Sequence, residues 1–240
     1  MAKAIETRNL TVMYRTGGKS LPALRELNLS VEQGEVYGFI GPNGAGKTTT
    51  MHVLLGFITA TSGQALIFGE DVRYAIARQR IGYMPEHPQM YRFLTGRELL
   101  VMSGRLFGMR GRALAARAGE LIESVGLARA ADRRIAGYSR GMMQRIALAQ
   151  ALVNDPDLVI LDEPTSGFDP IGRIGIREII AGLRSAGKTV FFSSHELSEV
   201  ERICDRVGII ADGRLLVDGK TDQLAKAGES LEQYFLRILA

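Results

Sequence analysis

The sequence predicts an α/β fold: a mixed sheet, mostly parallel with an antiparallel portion, and a helical sub-domain inserted into it. Three observations carry this reading. Continuous apolar runs of strand length recur along the chain, as parallel strands buried on both faces require. One of them, Val36 to Ile40, leads directly into a glycine-rich loop and a helical segment. Two helical patterns, 97–109 and 112–126, follow one another without a strand between them.

In chain order, Leu27, Leu29 and Val31 alternate with Asn28 and Ser30, the pattern of a half-buried strand. After Val36 to Ile40, further strands are expected at Ala65 to Phe68, Ile81 to Met84, Leu158 to Leu161, Thr189 to Phe192 and Val207 to Ile210. Asp212-Gly213, between Ile209-Ile210 and Leu215 to Val217, reads as a hairpin turn and supplies antiparallel pairing. Later helices are expected over 141–153 and 172–185. Leu231, Tyr234, Phe235, Ile238 and Leu239 form the stripe of an amphipathic helix that docks on its own domain.

The chain has 240 residues, enough for one sizeable domain without metal or disulfide staples. Its single cysteine, Cys204, forms no internal disulfide, which fits a reducing compartment, and Leu197, Val200 and Ile203 at helical spacing pack beside it. No apolar run reaches the roughly 18–20 residues that span a bilayer, and the start lacks a signal-peptide core, so a soluble, cytoplasmic chain is expected. The net charge of +4 is carried by scattered Lys and Arg, which reads as a solvated surface and not as a nucleic-acid interface.

Gly41-Pro42-Asn43-Gly44-Ala45-Gly46-Lys47-Thr48 fits G-x-x-x-x-G-K-[ST] in the strand-to-helix context the motif needs. The glycines permit a backbone cradle whose N–H groups face phosphates at a helix N-terminus. Lys47 is expected to reach the β- and γ-phosphates, Thr48 to ligate Mg²⁺ and Thr49 to face the α-phosphate. Leu158 to Leu161 then delivers Asp162 and Glu163 at a strand end, Asp162 toward the Mg²⁺ shell and Glu163 toward an attacking water as general base. Between these motifs, Ser139 is a natural helix N-cap and Gly141 lets a ligand approach the backbone.

With the phosphate loop, Tyr138 to Arg145 and Leu161-Asp162-Glu163-Pro164 in this order, the chain resembles the nucleotide-binding subunit of an ABC transporter along nearly its whole length. The resemblance implies a RecA-like P-loop NTPase core at 1–87 and 155–220, a helical sub-domain at 88–154 carrying the signature segment, and a short helical tail at 221–240. It implies that Ser166 to Pro170, with Asp169, is the D-loop at a dimer interface, that His195 is the switch histidine and that Tyr14 stacks on adenine. Two cassettes would bind head to tail, so that ATP on Gly41 to Thr49 of one is closed over by Ser139, Arg140 and Gly141 of the other. A homodimer is favoured because one chain carries both half-sites, and a heterodimer with a related cassette also fits. The implied partner is a membrane-spanning permease at the inner face of the cell membrane.

Two segments depart from the family pattern. Tyr138-Ser139-Arg140-Gly141-Met142 stands where the family has Leu-Ser-Gly-Gly-Gln, which adds a guanidinium able to pair with a phosphate or with an acidic group across the interface, or simply to face solvent. Glu86 stands where the family has a glutamine that links Mg²⁺ to the membrane partner, and it is expected to meet the ion as a carboxylate. Both departures are similar to the branch of exporters whose cassette is a separate chain. An importer's ATPase is the principal alternative. ABC-type ATPases acting on DNA separate the two motifs with long coiled coils, and no sustained heptads lie between Gly46 and Ser139 here.

Overall fold

The computed structural model describes residues 2–166, 170–224 and 229–239. In chain order the elements are β1 (Lys3–Thr16), β2 (Lys19–Glu32), β3 (Val36–Ile40), α1 (Lys47–Leu54), β4 (Ser62–Ile67), β5 (Glu70–Asp71), α2 (Ala75–Arg78), β6 (Ile81–Met84), α3 (Gly96–Leu106), α4 (Gly111–Ser124), α5 (Arg140–Ala151), β7 (Leu158–Leu161), α6 (Pro170–Ser185), β8 (Thr189–Ser194), α7 (Leu197–Ile203), β9 (Arg206–Ala211), β10 (Arg214–Lys220), α8 (Thr221–Leu224) and α9 (Leu231–Leu239).

Six strands form the central sheet in the order β10-β9-β3-β8-β7-β6, all parallel except β10. The apolar runs are continuous because both faces are covered. Val36, Ile40, Val159, Leu161, Val190 and Phe192 pack into one core, whereas Tyr37, Phe39, Leu158, Ile160 and Phe191 pack into a second on the opposite face. Side chains that alternate between two cores need no polar residue between them. The predicted Asp212-Gly213 turn joins β9 to β10 with both residues at positive φ, 48° and 75°, the conformation a two-residue hairpin turn demands.

A second, antiparallel sheet, β2-β1-β4-β5, covers one face. Its long strand β1 was not foreseen, and β2 begins eight residues before the predicted Leu27. The cause is irregular pairing: Asn9 and Glu26 take φ near +50° and the β1–β2 register shifts at several points, which destroys the strict alternation a strand normally shows.

Helices α3, α4 and α5 pack together through Leu99, Leu100, Leu121, Ile122, Ile146 and Leu148 in the first core. A reciprocal cap starts α3: Glu98 N–H donates to Thr95 Oγ1 at 3.1 Å and Thr95 N–H donates to Glu98 Oε2 at 2.8 Å. The expected helix 97–109 ends earlier, at Leu106, because Gly108 takes φ +80° and turns the chain. Amphipathic α9 lies against its own domain, with Leu231 buried and Tyr234 and Phe235 packed on the first core. Cys204 is buried at the end of α7, beside Gly38 of β3. No helix among the described residues is long and apolar enough to cross a membrane.

One glycine on β6 sets how closely α5 approaches the sheet. A Cβ on Gly82 would stand 2.0 Å from the carbonyl oxygen of Ala151 and 2.8 Å from Pro156 Cγ. Neither is the end of a flexible chain. Gly82→Ala is therefore expected to lower stability by about 1–3 kcal/mol, read as a lower urea midpoint at unchanged slope. An unchanged midpoint would show that the helix and strand separate freely.

Candidate functional site

Parallel register brings the predicted groups to one edge of the central sheet. Ile40 stands beside Ser194, Leu161 beside Phe192, and Met84 beside Leu161. The segments that follow these strands, Gly41 to Gly46, Asp162-Glu163, His195 and Glu86, consequently emerge together at the carboxyl ends of the strands, where open α/β sheets bind ligands.

The loop at 41–46 has glycine where its geometry requires it. Gly46 takes φ +111°, and a Cβ there would lie 2.7 Å from Leu24 Cδ2 and 2.8 Å from the Ala23 carbonyl. A Cβ on Gly41 would fall 2.2 Å from the Ile210 carbonyl oxygen. The loop feeds α1, whose first turn holds no acidic residue, so its positive end is uncompensated and suits an anion. Pro42, Asn43 and Gly44 are exposed at the loop's tip, whereas Ala45, Gly46 and Lys47 are buried.

Lys47 is 8% exposed, and its ammonium donates to the carbonyls of Gly41 at 2.6 Å and Pro42 at 3.2 Å. Burial lowers its pKa, while the carboxylates of Glu163, Asp162 and Glu86 oppose that shift. Asp162, 4% exposed, accepts from Ser193 Oγ at 2.6 Å on one oxygen and from Thr48 Oγ1 at 3.3 Å on the other. Ser193 Oγ in turn accepts from the Glu163 N–H at 3.0 Å.

Glu163 has φ +51°, a left-handed conformation that costs a non-glycine residue on the order of 1–3 kcal/mol and recurs at functional sites. Its carboxylate lies 2.7 Å from His195 Nδ1 and accepts the His195 backbone N–H at 3.2 Å. Burial raises the Glu163 pKa, and the neighbouring His195 and Lys47 pull it back. Thr48 and Asp162 present two hard oxygen donors side by side, a set that suits Mg²⁺, which takes few protein ligands and keeps water and phosphate oxygens for the rest.

Other predicted residues sit farther out. Tyr14 is 41% exposed, not core, and its hydroxyl lies 3.4 Å from Thr49 Oγ1 at the start of α1. The Glu86 side chain is half-buried, its carboxylate 3.9 Å from His87 Nδ1. Ser139 caps α5, accepting from the Met142 N–H at 3.3 Å, and Arg140 and Ser139 are both exposed. Among the described residues no hydrogen bond or ion pair joins Ser139, Arg140 or Gly141 to the phosphate loop of the same chain. Asp169 lies outside the described residues.

Two residues of the site were not singled out from sequence. Ser193 bridges Asp162 to the Glu163 backbone, and its place directly before Ser194-His195 at a strand end was the available signal. Gln144, 2% exposed on α5, donates from Nε2 to the Glu86 carbonyl at 3.2 Å. It thereby ties the signature helix to the Glu86 segment.

A buried strand, a glycine loop with lysine and threonine at the helix start, and a parallel strand ending in two carboxylates define a P-loop NTPase fold. The ABC transporter family model matches residues 24–166. The chain belongs to that family. It is 42% identical, over 98% of its length and 76% of the relative's, to the bacitracin transport ATP-binding protein BcrA of Bacillus licheniformis. It is 42% identical, over 93% of its length and 73% of the relative's, to the Nod factor export ATP-binding protein I of Burkholderia lata. An ATP-binding subunit of an ABC transporter superposes with a TM-score of 0.89 at 28% identity, covering 99% of this chain and all of that one. A dimeric, post-hydrolysis ATP-binding cassette, MJ0796 bound to ADP and Pi, gives 0.84 at 25% identity, covering 90% and 98%.

Proposed function

We propose that this chain binds and hydrolyses ATP and drives export through a separate membrane-spanning permease, working at the inner face of the cell membrane. The convergence of Lys47, Asp162, Glu163 and His195 on one sheet edge carries the ATPase reading. The names of the bacitracin and Nod factor relatives support transport, and the second supports its outward direction. The dimeric neighbour supports a pair of cassettes, read here as head to tail, with a homodimer favoured because one chain carries both half-sites.

In this reading residues 1–87 and 155–220 form the catalytic core, 88–154 the helical sub-domain and 221–240 the tail. Tyr14 stacks on the adenine, and Gly41 to Gly46 cradle the phosphates with backbone N–H groups. Lys47 places its ammonium on the β- and γ-phosphates, and Thr49 faces the α-phosphate. Thr48 and Asp162 would hold Mg²⁺, with Glu86 as a further carboxylate for its shell. When bound, that ion supplies positive charge against the phosphate oxygens. Glu163 accepts the proton of the attacking water, and His195 holds Glu163 and the γ-phosphate in register. Ser139, Arg140 and Gly141 of the second cassette close the site, with Asp169 at the same interface. Loss of the γ-phosphate removes the contacts that favour closure.

ATPase assay of the chain with the membrane subunit that co-purifies in detergent tests this reading; absence of nucleotide-dependent turnover in that complex overturns it. Glu86 supplies a further prediction. Because Gln144 holds its backbone at the carboxyl ends of the strands, Glu86→Ala is expected to lower transport-coupled turnover about three- to tenfold, and Glu86→Gln to change it less. Wild-type rate and coupling in both variants would remove Glu86 from the mechanism.

A further inference from the structure

The turn that carries His195 is tied to its own helix by backbone hydrogen bonds, the Glu196 carbonyl accepting the N–H groups of Glu199 at 3.1 Å and Val200 at 3.3 Å. Glu196 occupies the N-cap position of α7, yet no side-chain cap forms there. The His195 side chain is 58% exposed and, among the described residues, its ring is anchored at its Glu163 end. Ser194 Oγ accepts the Glu196 N–H at 2.9 Å, which fixes the backbone locally but fixes nothing against the neighbouring helix.

That lateral restraint comes from α6. Arg173 Nη1 lies 2.6 Å from Glu196 Oε2, and one turn further Arg177 Nη1 lies 3.4 Å from Glu199 Oε1. Arg173 and Arg177 stand four residues apart on one face of α6, and Glu196, the N-cap, and Glu199 stand three apart at the start of α7, so the pairs form two rungs between the helices. Both rungs are shielded: the Glu196 and Glu199 side chains are 19% and 8% exposed. Glu199 is among the few buried charged residues of the chain, and a buried carboxylate is kept only where a cation answers it.

We infer that the Arg173–Glu196 and Arg177–Glu199 pairs are positioning residues that set the His195 turn against Glu163, so that the placement of α6 governs hydrolysis. The inference rests on the roles proposed for Glu163 and His195. Glu196 follows His195 directly, so a shift of its carboxylate toward or away from α6 moves the His195 N–H and ring, both of which touch Glu163 Oε2. Neither arginine needs to contact nucleotide.

The test uses the chain in complex with its co-purifying membrane subunit. Arg173→Ala and Glu196→Ala are each expected to lower kcat for ATP about tenfold, with KM for ATP within about twofold, since the phosphate loop is untouched. The charge-swapped double variant Arg173→Glu with Glu196→Arg is expected to recover most of the lost kcat. Unchanged kcat in the single variants overturns the inference, and so does a swap that stays as slow as either single variant. Arg173→Gln is read in the same way should the alanine variant fail to fold. Glu163→Gln run in parallel separates the two claims: if it turns over ATP normally the site reading itself fails, whereas an inactive Glu163→Gln beside fully active Arg173→Ala removes only the positioning role.

Discussion

Glu163→Gln is expected to bind ATP, to hydrolyse it about 10²–10⁴-fold more slowly than the wild type and to accumulate as an ATP-bound dimer. The substitution keeps the size of the side chain and an oxygen able to accept the His195 N–H, so the buried turn it occupies is retained. What it removes is a proton acceptor. With the γ-phosphate uncleaved, the contacts that favour the closed pair persist, and size-exclusion chromatography in ATP should show the dimer where the wild type returns to its starting state. The pH profile gives a second readout with a defined sign. Burial raises the Glu163 pKa, so wild-type turnover falls as pH drops through a value above the ordinary glutamate range, where the base becomes protonated. Glu163→Gln lacks that limb. Turnover at the wild-type rate would reject Glu163 as the base.

The phosphate loop and the carboxylate strand were legible because local sequence determines them: G-x-x-x-x-G-K-[ST] needs only a strand before it and a helix after it, and Val36 to Ile40 announces the strand by being apolar throughout. The buried strands were legible for the same reason. β1 was not, because its bulges break the alternation by which a strand is recognised; Thr7 and Leu10 are both buried although they stand three positions apart, across a register shift. Ser193 and Gln144 were hidden for another reason. Their partners, Asp162 and Glu86, lie 31 and 58 residues away, and nothing in either neighbourhood signals the contact until the sheet register is set. The Arg173–Glu196 pair is of the same kind, since an exposed-looking arginine on an amphipathic helix has no local mark of a partner. Tyr14 shows the opposite case: the family resemblance marks it, and the structure leaves it exposed beside Thr49, open to a ligand.

Lys47→Ala is expected to lower hydrolysis about 10²–10³-fold, the loss that follows removal of a principal electrostatic donor from a site, with weaker ATP binding as well. The argument is one of charge in a confined place. The Lys47 ammonium is buried, pinned between the Gly41 and Pro42 carbonyls, and stands in the field of Glu163, Asp162 and Glu86. Deleting it leaves two carbonyls without their donor and three carboxylates with no local cation, at the spot where a triphosphate would add further negative charge. Lys47→Arg sharpens the test, because a guanidinium keeps the charge but its planar fork does not match a pocket formed by two carbonyls five and six residues back in the chain. Recovery by arginine would mean that charge alone suffices; continued inactivity would mean that the ammonium's position matters as much. Equilibrium binding of ATP should then divide the loss, since an interaction made in both the bound and the transition state raises KM, whereas one made mainly in the transition state lowers kcat. Normal hydrolysis by Lys47→Ala would place the phosphates elsewhere on the molecule, because no other buried cation stands at this sheet edge among the described residues.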